Sequence, residues 1–178
     1  MPLIKDSAFA ENVFTNLADD QEAPAGVPII VSLKRWLAEA EALSALNVAL
    51  GVRLGADQPP DAIGDGLRRL ALVVLEFSKF RDGRGYSWAR LLRQRLGFKG
   101  EIRAAGEVLR DQWLFMRRCG IDAFEVRPGT RIEDFRAALD ELTVFYQPAS
   151  DRVTNVLALR HNRQTRSARR YALADAAE

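Results

Sequence analysis

Short apolar runs separated by helix-patterned segments constrain this chain more than any other feature. The runs are PIIVSL from residue 28, NVALGVRL from 47, ALVVLEF from 71, EIRAA from 101, IDAFEV from 121 and TVFYQP from 143. Each is nearly continuous in apolar or β-branched residues and bounded by Gly, Pro or charge, as strands of a buried parallel sheet are. Between them, Trp36, Leu37, Ala40 and Leu43 fall at helical spacing, as do Trp88, Leu91, Leu92 and Leu96, and later Ile132, Phe135, Leu139 and Leu142. The segment Asp61–Leu70 is the poorest helix, because Gly64 and Gly66 lower its propensity. Strand alternating with helix predicts right-handed βα crossovers and a mostly parallel sheet. A complete eight-unit barrel takes about 250 residues, and this chain has 178. The expected fold is α/β, with five to six βα units in an open wound sheet or a partial, TIM-barrel-like one.

The same pattern divides the chain. Residues 1–25 read as a hairpin or lead-in, 26–149 as the α/β domain, and 150–178 as a basic tail, mobile or loosely helical. The tail carries a net charge of +3 and leaves residues 1–150 at −1. Its one aromatic, Tyr171, makes a poor stacking platform, so nucleic acid is not an expected partner.

Composition excludes several chemistries. No apolar run approaches the roughly 20 residues of a membrane-spanning helix, and the N-terminal MPLIKDSAFAENVF lacks the pattern of a signal peptide. A cytoplasmic location is expected. One cysteine, Cys119, leaves no partner for an internal disulfide, and one histidine, His161, is too few for a usual zinc site. No metal site is expected, and no cofactor motif is present.

Positive charge is concentrated between Lys79 and Arg118, where eleven Lys/Arg face four Asp/Glu, a local net of +7. After ALVVLEF comes SKFRDGRGYS, where Gly83 and Gly85 permit a tight turn and Ser87 is placed to cap a helix starting near Trp88. A glycine turn running into a helix N-terminus offers free N–H groups to an anion, and Lys79, Arg81 and Arg84 flank it. The alternative is a plain turn in which Asp82 and Arg84 pair locally. Neither the phosphate-binding P-loop nor the dinucleotide fingerprint is present. In the following GEIRAAGEVLRDQ, Arg103 stands near a strand end, and Glu107 and Asp111 flank the next helix start. Arg84, Arg103, Glu107 and Asp111 then share a polar pocket or form an ion-pair network between adjacent loops. Acid–base work would fall to Glu107, Asp111 or Glu76. The anion-binding set is Lys79, Asp82, Gly83, Arg84, Gly85, Ser87 and Arg103.

The stretch FSKFRDGRGYSWARLLRQRLGFKGEIRAAGEVLRDQ, followed by RCGIDAFEV, resembles the bacterial DUF934 family. The resemblance runs from about Gly26 through Gln147 and is densest over residues 77–126. It implies an oxidoreductase or an accessory protein of assimilatory sulfite reduction, with sulfite reductase or another sulfur-assimilation protein as partner and a small oxyanion as ligand. It implies no catalytic residues and no particular cofactor. A small α/β enzyme acting on a phosphorylated or sulfonated metabolite is the other expectation, with Arg84 and Arg103 clamping the anion.

Overall fold

The computed structural model describes residues 1–151, 153 and 155–161. Its strands are β1 (Leu3–Lys5), β2 (Ala8–Ala10), β3 (Thr15–Asn16), β4 (Ile29–Ser32), β5 (Leu50–Leu54), β6 (Leu72–Phe77), β7 (Glu101–Gly106) and β8 (Ala123–Glu125). They form one eight-stranded sheet in the order β2-β1-β8-β7-β6-β5-β4-β3. From β3 to β8 every neighbouring pair is parallel, and β1 is antiparallel to both β2 and β8. The sheet is a curled half-barrel.

Chain connectivity shows why it curls. Only residues 11–14 separate β2 at one edge from β3 at the other. That connection reaches at most about 18 Å, whereas a flat sheet of this many strands is about 34 Å wide. The edges must therefore approach each other, and the N-terminal segment straps the concave face. The Asp6–Ser7 turn between β1 and β2 has positive φ at both residues, +50° and +60°, the geometry that matches hairpin twist.

Side chains alternate between the two faces. On the convex face Val31, Val52, Val73, Ile102 and Phe124 are buried with Trp36, Leu92, Trp113 and Phe135 from the helical layer. That layer comprises α1 (Leu33–Ser44), α2 (Arg84–Arg90) with the π-helical turn Leu91–Arg95 that continues it, α3 (Trp113–Arg118) and α4 (Ile132–Asp140). Burying each of these large side chains contributes roughly 1.5–3 kcal/mol. On the concave face Ile30, Leu72, Val74 and Ala105 form a second, smaller apolar cluster, and Phe14 of the strap packs on it.

Several local expectations are corrected. TVFYQP is not a strand: the outer edge of β8 is already paired with β1, so a strand there has no free edge to join. Instead Phe145 lies buried beneath the Arg118 guanidinium, 3.5 Å from its ring centroid, while Val144 and Tyr146 are exposed. The Asp61–Leu70 segment is a 3₁₀ stretch over Pro60–Arg69, interrupted at Gly64, whose φ of +69° no continuous helix accommodates. In α1, Trp36 and Leu43 are buried but Leu37 points to solvent, and Leu96 and Leu142 are exposed in their own segments.

The basic tail expected at 150–178 lies mostly outside the described residues. Its first residues are docked: Asp151 pairs with Arg118 at 2.9 Å, and the Ser150 N–H donates to the Arg118 carbonyl. Among the described residues no helix is long and apolar enough to cross a membrane.

Candidate functional site at the strand C-terminal mouth

The C-terminal ends of parallel strands are where α/β sheets and barrels usually present ligand-binding groups. Here that end opens into a cleft of about 610 Å³, bounded by the strap and by β4, β5 and β6. Its charged lining residues are Arg53 on β5 and Glu76 near the end of β6. Arg53 Nη1 lies 2.5 Å from Glu76 Oε2, and Arg53 Nη2 donates to Asn16 Oδ1 at 2.9 Å. Leu17 and Ile30 supply apolar wall, and Ser32 and Gln58 supply polar groups.

Deeper along the concave face lies a chain of ion pairs. Arg103, 1% exposed, is held by Glu101 at 2.8 Å and stands 3.5 Å from Glu125. It donates to Asn12 Oδ1 at 2.9 Å and lies over the Phe14 ring, so it also fixes the strap. Lys5 donates to the opposite oxygen of Glu101 at 2.8 Å. Burial pushes the Glu101 carboxyl upward, but hydrogen bonds from Lys5 and Arg103 outweigh it and hold the group below its ordinary range. The Glu101 hydrogen bond raises Lys5 in turn. Glu125 Oε1 is buried and makes no hydrogen bond among the described residues, and Arg53 Nη2 is 3.9 Å away.

At the rim, the loop after β6 carries Lys79, Arg81, Asp82 and Arg84. Asp82 and Arg84 pair with each other: Arg84 Nε donates to Asp82 Oδ1 at 2.9 Å and Nη2 to Oδ2 at 2.7 Å. Those bonds, the Arg84 backbone N–H and nearby Lys79 pull the Asp82 carboxyl down to about 2. Lys79 and Arg81 are exposed and enter no ion pair among the described residues. The neighbouring loop after β7 is tied in by Glu107, whose Oε2 accepts the Phe80 N–H at 2.9 Å. Sequence spacing thus places these two loops side by side correctly, through Phe80 and Glu107.

Other expected members stand elsewhere. Arg103 is on the concave face within its own ion pairs, not beside Arg84. The helix begins at Arg84 with Gly83 as its cap residue, so Ser87 is an exposed residue inside α2, not its cap. Gly85 is buried against Phe77 and has no room for a side chain, since a Cβ there would lie 2.5 Å from Phe77 Cζ. Asp111 is exposed in the 3₁₀ turn before α3. With burial as the larger cause, the charges of Cys119 and Asp111 help push the Tyr86 hydroxyl up to about 12. Burial likewise raises the Cys119 thiol, against the pull of Arg90 and Arg118.

The +7 segment is therefore not one patch. Arg93 donates to the carbonyls of Phe98, Gly100 and Gly120 and pairs with Asp122, which is structural work on the convex side. Arg118 holds Asp151 and Phe145. What remains at the mouth is Lys79, Arg81 and the Asp82–Arg84 pair. Among the described residues no group of three or more His, Cys, Asp or Glu could hold a metal ion.

Arg53, the cleft residue that sequence reasoning missed, did leave a signal. NVALGVRL and ALVVLEF each embed one charge near the end of an otherwise apolar run, and IDAFEV carries Glu125 near its end in addition to Asp122 at its start. Those charges, Arg53, Glu76 and Glu125, share the concave face with Arg103.

The fold and mouth define a half-barrel α/β protein with a ligand-sized cleft at its strand C-termini. The chain belongs to the family described as "Bacterial protein of unknown function (DUF934)", whose model matches residues 51–157. No curated protein matches it.

Proposed function

We propose that this protein serves assimilatory sulfite reduction in the cytoplasm as an accessory protein or oxidoreductase component, with the mouth rim binding a small oxyanion or the reductase partner. The observation that carries the reading is the pair of exposed cations Lys79 and Arg81 on the loop that leaves β6, neither of which enters an ion pair among the described residues. They stand at the end of the sheet where parallel folds carry ligands. The resemblance of residues 77–126 supplies the pathway, and the rim cations suit an oxyanion or an acidic surface. Deletion of the gene tests the role: cells lacking it grow poorly on sulfate or sulfite and normally on sulfide or cysteine. Equal growth on all four sources removes the sulfur-assimilation role.

One observation favours a second reading, a small enzyme acting on a phosphorylated or sulfonated metabolite. The cleft of about 610 Å³ exceeds what sulfite fills and matches the usual size of metabolite sites. Rim cations would hold the anionic group, and Glu76 inside the cleft would move a proton. Thermal stabilisation by phosphate or sulfonate esters, lost in Lys79→Ala/Arg81→Ala and kept in Glu76→Gln, separates this reading from the accessory role.

A further inference from the structure

The cleft's own charges point to a ligand class different from a simple oxyanion. Arg53 and Glu76, its two charged lining residues, are joined at 2.5 Å. The site is therefore neutral as a unit. An anion entering alone must take Arg53 away from Glu76 and leave a partly buried carboxylate without its main partner, which is costly. A cation entering alone takes Glu76 from Arg53, which then keeps only Asn16 and the more distant Glu125 at 3.9 Å. A molecule carrying both charges avoids either cost, since one internal ion pair is exchanged for two pairs with the ligand. Both side chains keep about a third of their surface exposed, 29% for Arg53 and 33% for Glu76, which leaves them room to part.

The remaining lining fits the same chemistry. Asn16 and Gln58 accept hydrogen bonds through their side-chain oxygens, from Arg53 and from the Gly55 N–H. Their NH₂ groups make no hydrogen bond among the described residues, and both belong to the cleft wall. Two such donors beside a guanidinium suit a carboxylate. Leu17 and Ile30 give an apolar wall to a short aliphatic group.

We propose that this cleft binds a small zwitterion of the α-amino-acid type. Its carboxylate lies on Arg53, Asn16 and Gln58, its ammonium on Glu76, and its aliphatic side chain against Leu17 and Ile30. The inference concerns the cleft alone and stands independently of oxyanion binding at the rim.

The test is calorimetry and thermal shift on the full chain with L-leucine, L-methionine, N-acetyl-L-leucine and L-leucinamide. The free amino acids bind saturably and raise the melting temperature. The acetylated compound, which lacks the ammonium, and the amide, which lacks the carboxylate, each bind about tenfold or more weaker, the loss expected for one charge-assisted pair. Glu76→Gln weakens L-leucine by a similar factor and abolishes the preference for L-leucine over its N-acetyl derivative. Absence of saturable binding by either free amino acid to the wild-type chain overturns the proposal. So does equal binding of L-leucine and N-acetyl-L-leucine. Both decisive comparisons use the unmutated protein, so misfolding of the variant does not shield the idea.

Discussion

Replacing Arg103 with Met probes the concave ion-pair chain at its centre. The side chain is 2% exposed and serves Glu101, Glu125, Asn12 and the Phe14 ring at once. Met fills much of the same volume but carries no charge. Glu101 retains Lys5 at 2.8 Å, so its loss is partial. Glu125 is left with Arg53 at 3.9 Å as its nearest cation, and its Oε1 already makes no hydrogen bond among the described residues. Breaking a buried pair by removing one partner costs about 3–5 kcal/mol. Because each carboxylate keeps one neighbour, the lower end, about 3 kcal/mol, is expected. For a domain of this size that is a fall of about 6–12 °C in melting temperature. Urea unfolding followed by tryptophan fluorescence measures it. Adding Glu125→Gln removes the stranded charge, so the double variant recovers at least about 1 kcal/mol over Arg103→Met alone. A loss within about 0.5 kcal/mol for Arg103→Met, or strictly additive losses in the double variant, refutes the reasoning.

Gly85→Ala brings a Cβ to 2.5 Å from Phe77 Cζ, and such overpacking lowers stability by about 1–3 kcal/mol in urea titration. Ser87→Ala, at an exposed position inside α2, changes stability by no more than about 0.5 kcal/mol in the same assay. The Lys5–Glu101–Arg103 chain also gives a pH dependence. Glu101 is held below its ordinary 4.5, so its contribution is full above that value and is lost as pH falls through the lowered one. Lys5 is raised above 10.5, so its contribution is full below that value and is lost as pH rises through the raised one. Melting temperature against pH therefore shows a plateau bounded by these two limbs, and Glu101→Gln flattens the acid limb.

The parallel part of the fold was legible because β4 to β8 are buried on both faces and read as continuous apolar runs. TVFYQP carries the same local signal, and only the topology decides against it: β1 occupies the edge that a further strand would need. That pairing joins residue 3 to residue 125, a separation no local pattern reveals. The strap escaped for the same reason. Residues 11–16 look like an ordinary polar connection, yet Asn12, Phe14 and Asn16 meet Arg103, the concave apolar cluster and Arg53 across the sheet.

At the site, sequence spacing placed the β6 and β7 loops together and identified the Asp82–Arg84 pair as one of two alternatives. It misplaced Arg103, because charge density along the chain does not say which face of a strand a side chain takes. Period-two alternation does: Arg103 shares its face with Glu101, and Arg53 and Glu76 lie on that same concave face in β5 and β6.

The central claim is that the exposed rim cations Lys79 and Arg81 bind a small oxyanion. Isothermal titration of the full chain with sulfite, alongside a Lys79→Ala/Arg81→Ala double variant, tests it most directly. The account predicts saturable binding by the parent and an affinity lower by about tenfold or more in the folded variant. Absence of saturable binding by the parent, or an unchanged affinity in the variant, would contradict it.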